Sequence, residues 1–107
     1  MAQILRSNRI SGWRRHANLP GHPDFTFRRE RVVIFTHGCF WHGCPRCYRA
    51  RDDNATYWSL KVARNRARDR RVQRELRKLG WRVFVFWEHS MGADQHVSDR
   101  IKRALMR

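Results

Sequence analysis

The stretch FTHGCFWHGCPRCY, residues 35–48, gathers three cysteines, two histidines and an adjacent aromatic pair into fourteen residues. Cys44 and Cys47 form a C-x-x-C pair, a spacing that lets both thiolates reach one tetrahedral zinc ion. Two sulfurs leave such a site open, so Cys39 is expected as the third ligand. The fourth is expected to be His89, directly after the last apolar run, because that run should lie beside the one ending at Thr36 and bring its end to the same edge. The alternative for the thiols is burial without metal, since free cysteine packs as a small hydrophobe. An odd number of cysteines, clustered in a chain without a signal-peptide pattern or an apolar run of spanning length, favours a reducing intracellular compartment and zinc over disulfides.

A second kind of chemistry borders the first. Asp24 follows the Pro- and Gly-punctuated loop LPGHP, and a hairpin returning to Thr36, His37 and His42 sets one carboxylate opposite potential proton carriers. A carboxylate and a backbone carbonyl are hard oxygen ligands suited to Mg²⁺, which keeps waters and takes substrate phosphate oxygens as further ligands. A neutral histidine beside them can accept the proton of an attacking water near neutral pH. The set therefore suits metal-assisted phosphodiester hydrolysis. The alternative for His42 is a further zinc ligand, and for His37 a satisfied structural histidine.

Charge points the same way. Lysine and arginine number 24 against nine acidic residues, a formal charge of +15, and almost all of the cations are arginine. So much like charge repels itself in a folded domain and is relieved by a polyanion, whose bound phosphates release counterions. Nucleic acid is the expected partner; a merely solvated basic surface is the alternative, and an anionic membrane the weaker one.

The elements that must position these groups can be read from pattern. With 107 residues the chain is expected to form a single domain over residues 1–107. Residues 1–18 should hold a short helix and then a strand around Trp13. Asp24–Arg28 and Arg31–Thr36 read as a hairpin turning near Arg29 and Glu30. Its second arm, RVVIFT, is β-branched and nearly continuous in apolar residues, as in a central strand covered on both faces. Thr56 to Leu79 reads as one long helix stopped by Gly80. Trp58, Val62, Val72, Leu76 and Leu79 form its apolar stripe, which Asn65 and Asp69 interrupt midway, and seven arginines between Arg64 and Arg77 occupy most of the remainder. WRVFVFWE, residues 81–88, is a strand expected to be buried, and a weaker amphipathic helix runs from about Asp94 to Met106. This order requires an α/β fold with a mixed sheet flanked by helices and a right-handed crossover.

Taken in order, LPGHPDF, VIFTHGCFWH, the Tyr57–Trp58 pair, RNRARDRR and LGWRVFVFWE resemble the very short patch repair endonuclease family, which nicks DNA beside T:G mismatches; the motifs run from about Leu19 to His89. The resemblance implies a restriction-endonuclease-like mixed sheet of the PD-(D/E)xK type, stapled by zinc. It makes Asp24 the Mg²⁺-binding carboxylate, Thr36 a metal ligand through its carbonyl, His42 the general base and His37 a supporting residue at the scissile phosphate. Cys39, Cys44, Cys47 and His89 would hold the structural Zn²⁺. Phe40, Trp41 and Trp58 match aromatic residues that the family inserts into the DNA stack, with ordinary core as the alternative, most of all for Trp58. Lys61, Arg64, Arg68 and Arg71 are expected to grip the backbone. The family pattern also has a longer amino-terminal segment with an acidic residue, and here no Asp or Glu precedes Asp24.

The expected function is thus a Mg²⁺-dependent endonuclease, with Zn²⁺ as a structural cofactor, that nicks one strand of double-stranded DNA as a monomer in the bacterial cytoplasm. The alternatives are a zinc-stapled DNA-binding module without turnover, and a nuclease subunit whose protein partner supplies target recognition in repair or anti-phage defence.

Overall fold

The computed structural model describes residues 1–38, 55–90 and 94–106. The expected hairpin is present: β2 (Phe25–Phe27) and β3 (Val32–His37) pair antiparallel, with Phe25 opposite Ile34. A two-residue strand, β1 (Arg14–Arg15), adds to β2, and β4 (Arg82–Trp87) lies parallel to β3, giving a four-stranded mixed sheet in the order β1-β2-β3-β4. Adjacent parallel strands need a long connection, and the helix α2 (Ala55–Lys78) lies within it. Two further helices, α1 (Ala2–Ser7) and α3 (Asp94–Leu105), begin and end the fold. Among the described residues no helix is long and apolar enough to cross a membrane.

Alternation along β3 divides the core between the two faces of the sheet. Val32 and Ile34 join Ile4 and Leu5 of α1 and Val97, Ile101 and Ala104 of α3, together with Phe25, Phe27 and Phe86. Val33 and Phe35 point the other way and pack with Leu76 of α2 and Trp81, flanked by Val72, Val83 and Val85. The near-continuous apolar run of β3 follows from this burial on both faces. β4 differs from expectation. Only Phe86 of its six residues is fully buried, and among the described residues β4 pairs on one side alone, as the edge strand of the sheet.

α2 stops where its chemistry demands. Gly80 takes a left-handed φ of 91°, the Gly80 amide donates to the Arg77 carbonyl and the Trp81 amide to the Leu76 carbonyl, a Schellman cap closed by the packing of Trp81 against Leu76. Arg31 adds a bond from Nη2 to the Leu79 carbonyl at 2.7 Å while its guanidinium lies 4.6 Å from the Trp81 ring centre. Leu79, expected on the apolar stripe, is 54% exposed. The cap turns the chain off the helix before the stripe can recur, so Leu79 leaves the core-facing side.

Among the described residues one polar group in this core stands without a partner. Thr26 is fully buried in β2, and its hydroxyl finds no hydrogen-bond partner among the described residues. An unpaired buried hydroxyl costs about 1–3 kcal/mol of desolvation, so the near-isosteric Thr26→Val protein is expected to be the more stable. Thermal unfolding should show a midpoint raised by roughly 4–8 °C per kcal/mol regained; an unchanged or lowered midpoint would mean that the hydroxyl is satisfied.

Candidate active site

The site begins with a loop that only a particular backbone can make. Gly21 (φ 74°) and His22 (φ 48°) are consecutive left-handed residues, and the His22 amide closes a turn on the Leu19 carbonyl at 2.9 Å. A Cβ on Gly21 would collide with the Cγ1 methyl of Val72, so the loop lies directly against α2 and needs a glycine there. Pro23 is buried beneath, and Asp24 emerges half-buried at the threshold of β2.

Asp24 is fixed from the neighbouring strand. The Thr36 amide donates to Asp24 Oδ2 at 2.7 Å and the Thr36 hydroxyl to the same oxygen at 3.2 Å. Two donors converging on one oxygen, one of them at this short length, hold the carboxylate in one orientation. The two residues that the sequence pairs at a distance of twelve positions are thereby in contact.

His37, the next residue of β3, is 6% exposed and points to the α2 side of the sheet. Its ring meets the Trp87 ring edge-on at 5.2 Å and lies 6.0 Å from the Phe35 ring. Its Nδ1 faces Oδ2 of Asp69, on α2, at 3.9 Å. Asp69 is one of the two polar residues that break the apolar stripe of α2. Sequence reasoning marked the break without giving it a role, and the structure places the carboxylate beside the histidine. A carboxylate there favours the tautomer with its proton on Nδ1.

Asp24, Thr36, His37, Asp69 and Arg68 all border one open cleft of about 360 Å³, with Gly21, His22, Phe35 and Val72 completing its walls. Two carboxylates, imidazoles and a guanidinium in one depression can bind a divalent cation, move a proton and hold a phosphate. Among the described residues no three His, Cys, Asp or Glu side chains form a ready metal cluster. The donor set nevertheless fits Mg²⁺, an ion held through one or two carboxylates, with waters and substrate oxygens filling its other positions.

The other expected site residues are distributed as follows. Arg68 lines the cleft, while Lys61, Arg64 and Arg71 are exposed on α2. His89 is exposed in the short 3-10 turn Glu88–Ser90, two residues past Trp87, which is the partner of His37 in the parallel register. It therefore sits at the sheet edge from which the cysteine-bearing segment departs. Cys39, Phe40, Trp41, His42, Cys44 and Cys47 lie outside the described residues, as does the side chain of Trp58.

A mixed sheet flanked by helices, with an aspartate at a hairpin start clamped to the return strand above a histidine and a second carboxylate, is consistent with the α/β nuclease class. Comparison with known proteins narrows this. The family model for DNA mismatch endonuclease Vsr matches residues 1–49. DNA mismatch endonuclease Vsr of Escherichia coli (strain K12) is 38% identical over 101 residues, covering 92% of this chain and 64% of that protein. Type II nicking enzyme V.XorIIP of Xanthomonas oryzae pv. oryzae is 48% identical over 90 residues, 82% of this chain and 65% of that one. Type II nicking enzyme V.NaeI of Lentzea aerocolonigenes is 48% identical over 67 residues, 63% of this chain and 40% of the relative. The chain is thus similar to proteins of the Vsr family, and it spans just under two thirds of the length of the first two relatives.

Proposed function

We propose that this chain is a Mg²⁺-dependent DNA endonuclease that hydrolyses one phosphodiester in the cleft between β3 and α2, acting at or near T:G mismatches. The observation that carries the reading is the clamp of Asp24 onto Thr36 at the mouth of a cleft that also holds the His37–Asp69 pair and Arg68. Asp24 and the Thr36 carbonyl would hold the metal ion. When bound, the ion supplies Lewis-acid stabilisation of charge on the phosphate oxygens. His42 would take the proton of the attacking water, with His37, oriented by Asp69, positioning groups around the phosphorus. Arg68 would neutralise a non-bridging oxygen, and Lys61, Arg64 and Arg71 would hold the flanking backbone. Phe40, Trp41 and Trp58 would open the stack at a weak pair.

The test is cleavage of a labelled duplex carrying a single T:G pair beside its fully paired control, with Mg²⁺. Faster cutting of one strand of the mismatched duplex supports the reading in full; equal cutting of both removes the mismatch preference; no cutting of either leaves the non-catalytic DNA-binding module.

The structural zinc belongs to the same proposal. Cys39, Cys44, Cys47 and His89 are the donors, a thiolate-rich set suited to zinc. In a chain of this size the free energy of metal binding adds to that of folding. Stripping the metal with a strong chelator is therefore expected to lower the thermal midpoint by well over 10 °C or abolish the transition; an identical melting curve with and without the metal would contradict a structural role.

A further inference from the structure

Beside β4, away from the cleft, lies a second basic groove that the proposed chemistry does not use. It is an open depression of about 490 Å³, and Arg77 from the last turn of α2, Arg82 of β4, and Arg100 and Arg103 of α3 converge on it around Phe84. Three separate elements contribute the cations, so the cluster is made by tertiary packing and not by one charged run. Two of the four are held in place. The Arg100 guanidinium lies 5.0 Å from the ring centre of Phe86 and 6.0 Å from that of Phe84, and Arg82 donates from Nη2 to the Glu30 carbonyl at 3.1 Å. A guanidinium resting on an aromatic face keeps its in-plane N–H fork available for an oxyanion. Among the described residues no carboxylate forms a salt bridge with any of the four. Four converging guanidinium ions repel one another, and an anionic occupant relieves that repulsion.

We infer that this groove binds the phosphate backbone of nucleic acid at a second point, separate from the cleft; the inference rests on the DNA-binding part of the proposed function. Its position sets the geometry. The groove borders Arg82 and Phe84 at the start of β4, whereas the cleft borders His37, whose register partner Trp87 ends the strand. Five residues of strand separate the two ends, roughly 16 Å at about 3.3 Å per residue. A duplex advancing about 3.4 Å per base pair crosses that distance in roughly five pairs, so the groove meets phosphates at least that far from the one being cut. α2 links the two places, since Arg68 lines the cleft and Arg77 the groove. Forked arginine donors match phosphate in two-point contact, which favours nucleic acid over an acidic peptide lying along β4.

The experiment is equilibrium binding of the whole protein to a fully paired duplex, long enough to reach both places, over a series of salt concentrations without added divalent metal. The Arg77→Gln/Arg103→Gln protein, altered at two exposed positions on different helices, is compared with wild type. Each lost phosphate contact lowers the slope of log K against log salt by about 0.9, so the double variant is expected to be shallower by about 1–2 units. Each single variant should lose about one unit, which keeps the result readable if the double variant's melting curve is compromised. An unchanged slope in folded variants overturns the groove alone. Failure of the wild-type protein to bind DNA at all overturns the groove together with the function on which it rests.

Discussion

Asp24→Asn is expected to lower the rate of DNA nicking by at least about a thousand-fold, equivalent to about 4 kcal/mol of transition-state stabilisation, while leaving the protein folded. The substitution separates charge from shape. An asparagine carbonyl oxygen can still accept from the Thr36 amide and hydroxyl, the two bonds that fix the native carboxylate. The hairpin start therefore keeps its geometry, with only the loss of charge assistance in those bonds. What disappears is the anionic oxygen that would hold a divalent ion in the cleft. Single-turnover cleavage under Mg²⁺, read beside a melting curve, measures both consequences. A folded Asp24→Asn protein that retains more than about a tenth of wild-type activity would remove Asp24 from the role given to it.

Asp69→Asn is expected to reduce the cleavage rate by about a hundred-fold or more, within the range for disabling a proton-transfer group, without weakening DNA binding. The asparagine matches the native side chain in size on the core-facing side of α2, so packing is retained. It no longer favours the Nδ1 proton of His37, since the carboxylate at 3.9 Å is gone. Removing a negative charge from a cleft that receives phosphate should leave affinity unchanged or slightly tighter. The signature is thus a lower single-turnover rate at saturating protein with an equal or lower dissociation constant. A parallel loss of rate and binding would instead mean that α2 had shifted, and an unaltered rate would make Asp69 a bystander.

Asp69 also shows how far this sequence can be read. β3 was legible because burial on both faces writes an unbroken apolar run, and the end of α2 because Gly80 serves a cap that other residues reach only with strain. The approach of Asp24 to Thr36 followed from the hairpin alone, a local pairing set by two short runs and a turn. The meeting of Asp69 with His37 depends on how α2 settles across the sheet, a long-range placement that periodicity leaves free. The sequence did carry a trace of it, a carboxylate interrupting an apolar stripe, which is costly unless the group has a partner. Leu79 failed for the converse reason, since a stripe counted by helical spacing continues past the point where the cap ends the helix. β4 was expected to be covered because its composition is aromatic and β-branched, but composition does not say whether a strand has one neighbour or two. The basic groove beside β4 was likewise hidden, because it forms only when Arg100 and Arg103 of α3 fold back against Arg77 and Arg82.

The most direct test of the cleft as the place of phosphodiester hydrolysis is conversion of supercoiled plasmid by wild-type and Asp24→Asn protein, each with Mg²⁺ and with Mg²⁺ withheld. Open circles formed by the wild-type protein with Mg²⁺, and by neither protein otherwise, are the predicted result. Relaxation at equal rates by both proteins, or none by the wild type with Mg²⁺, would contradict it.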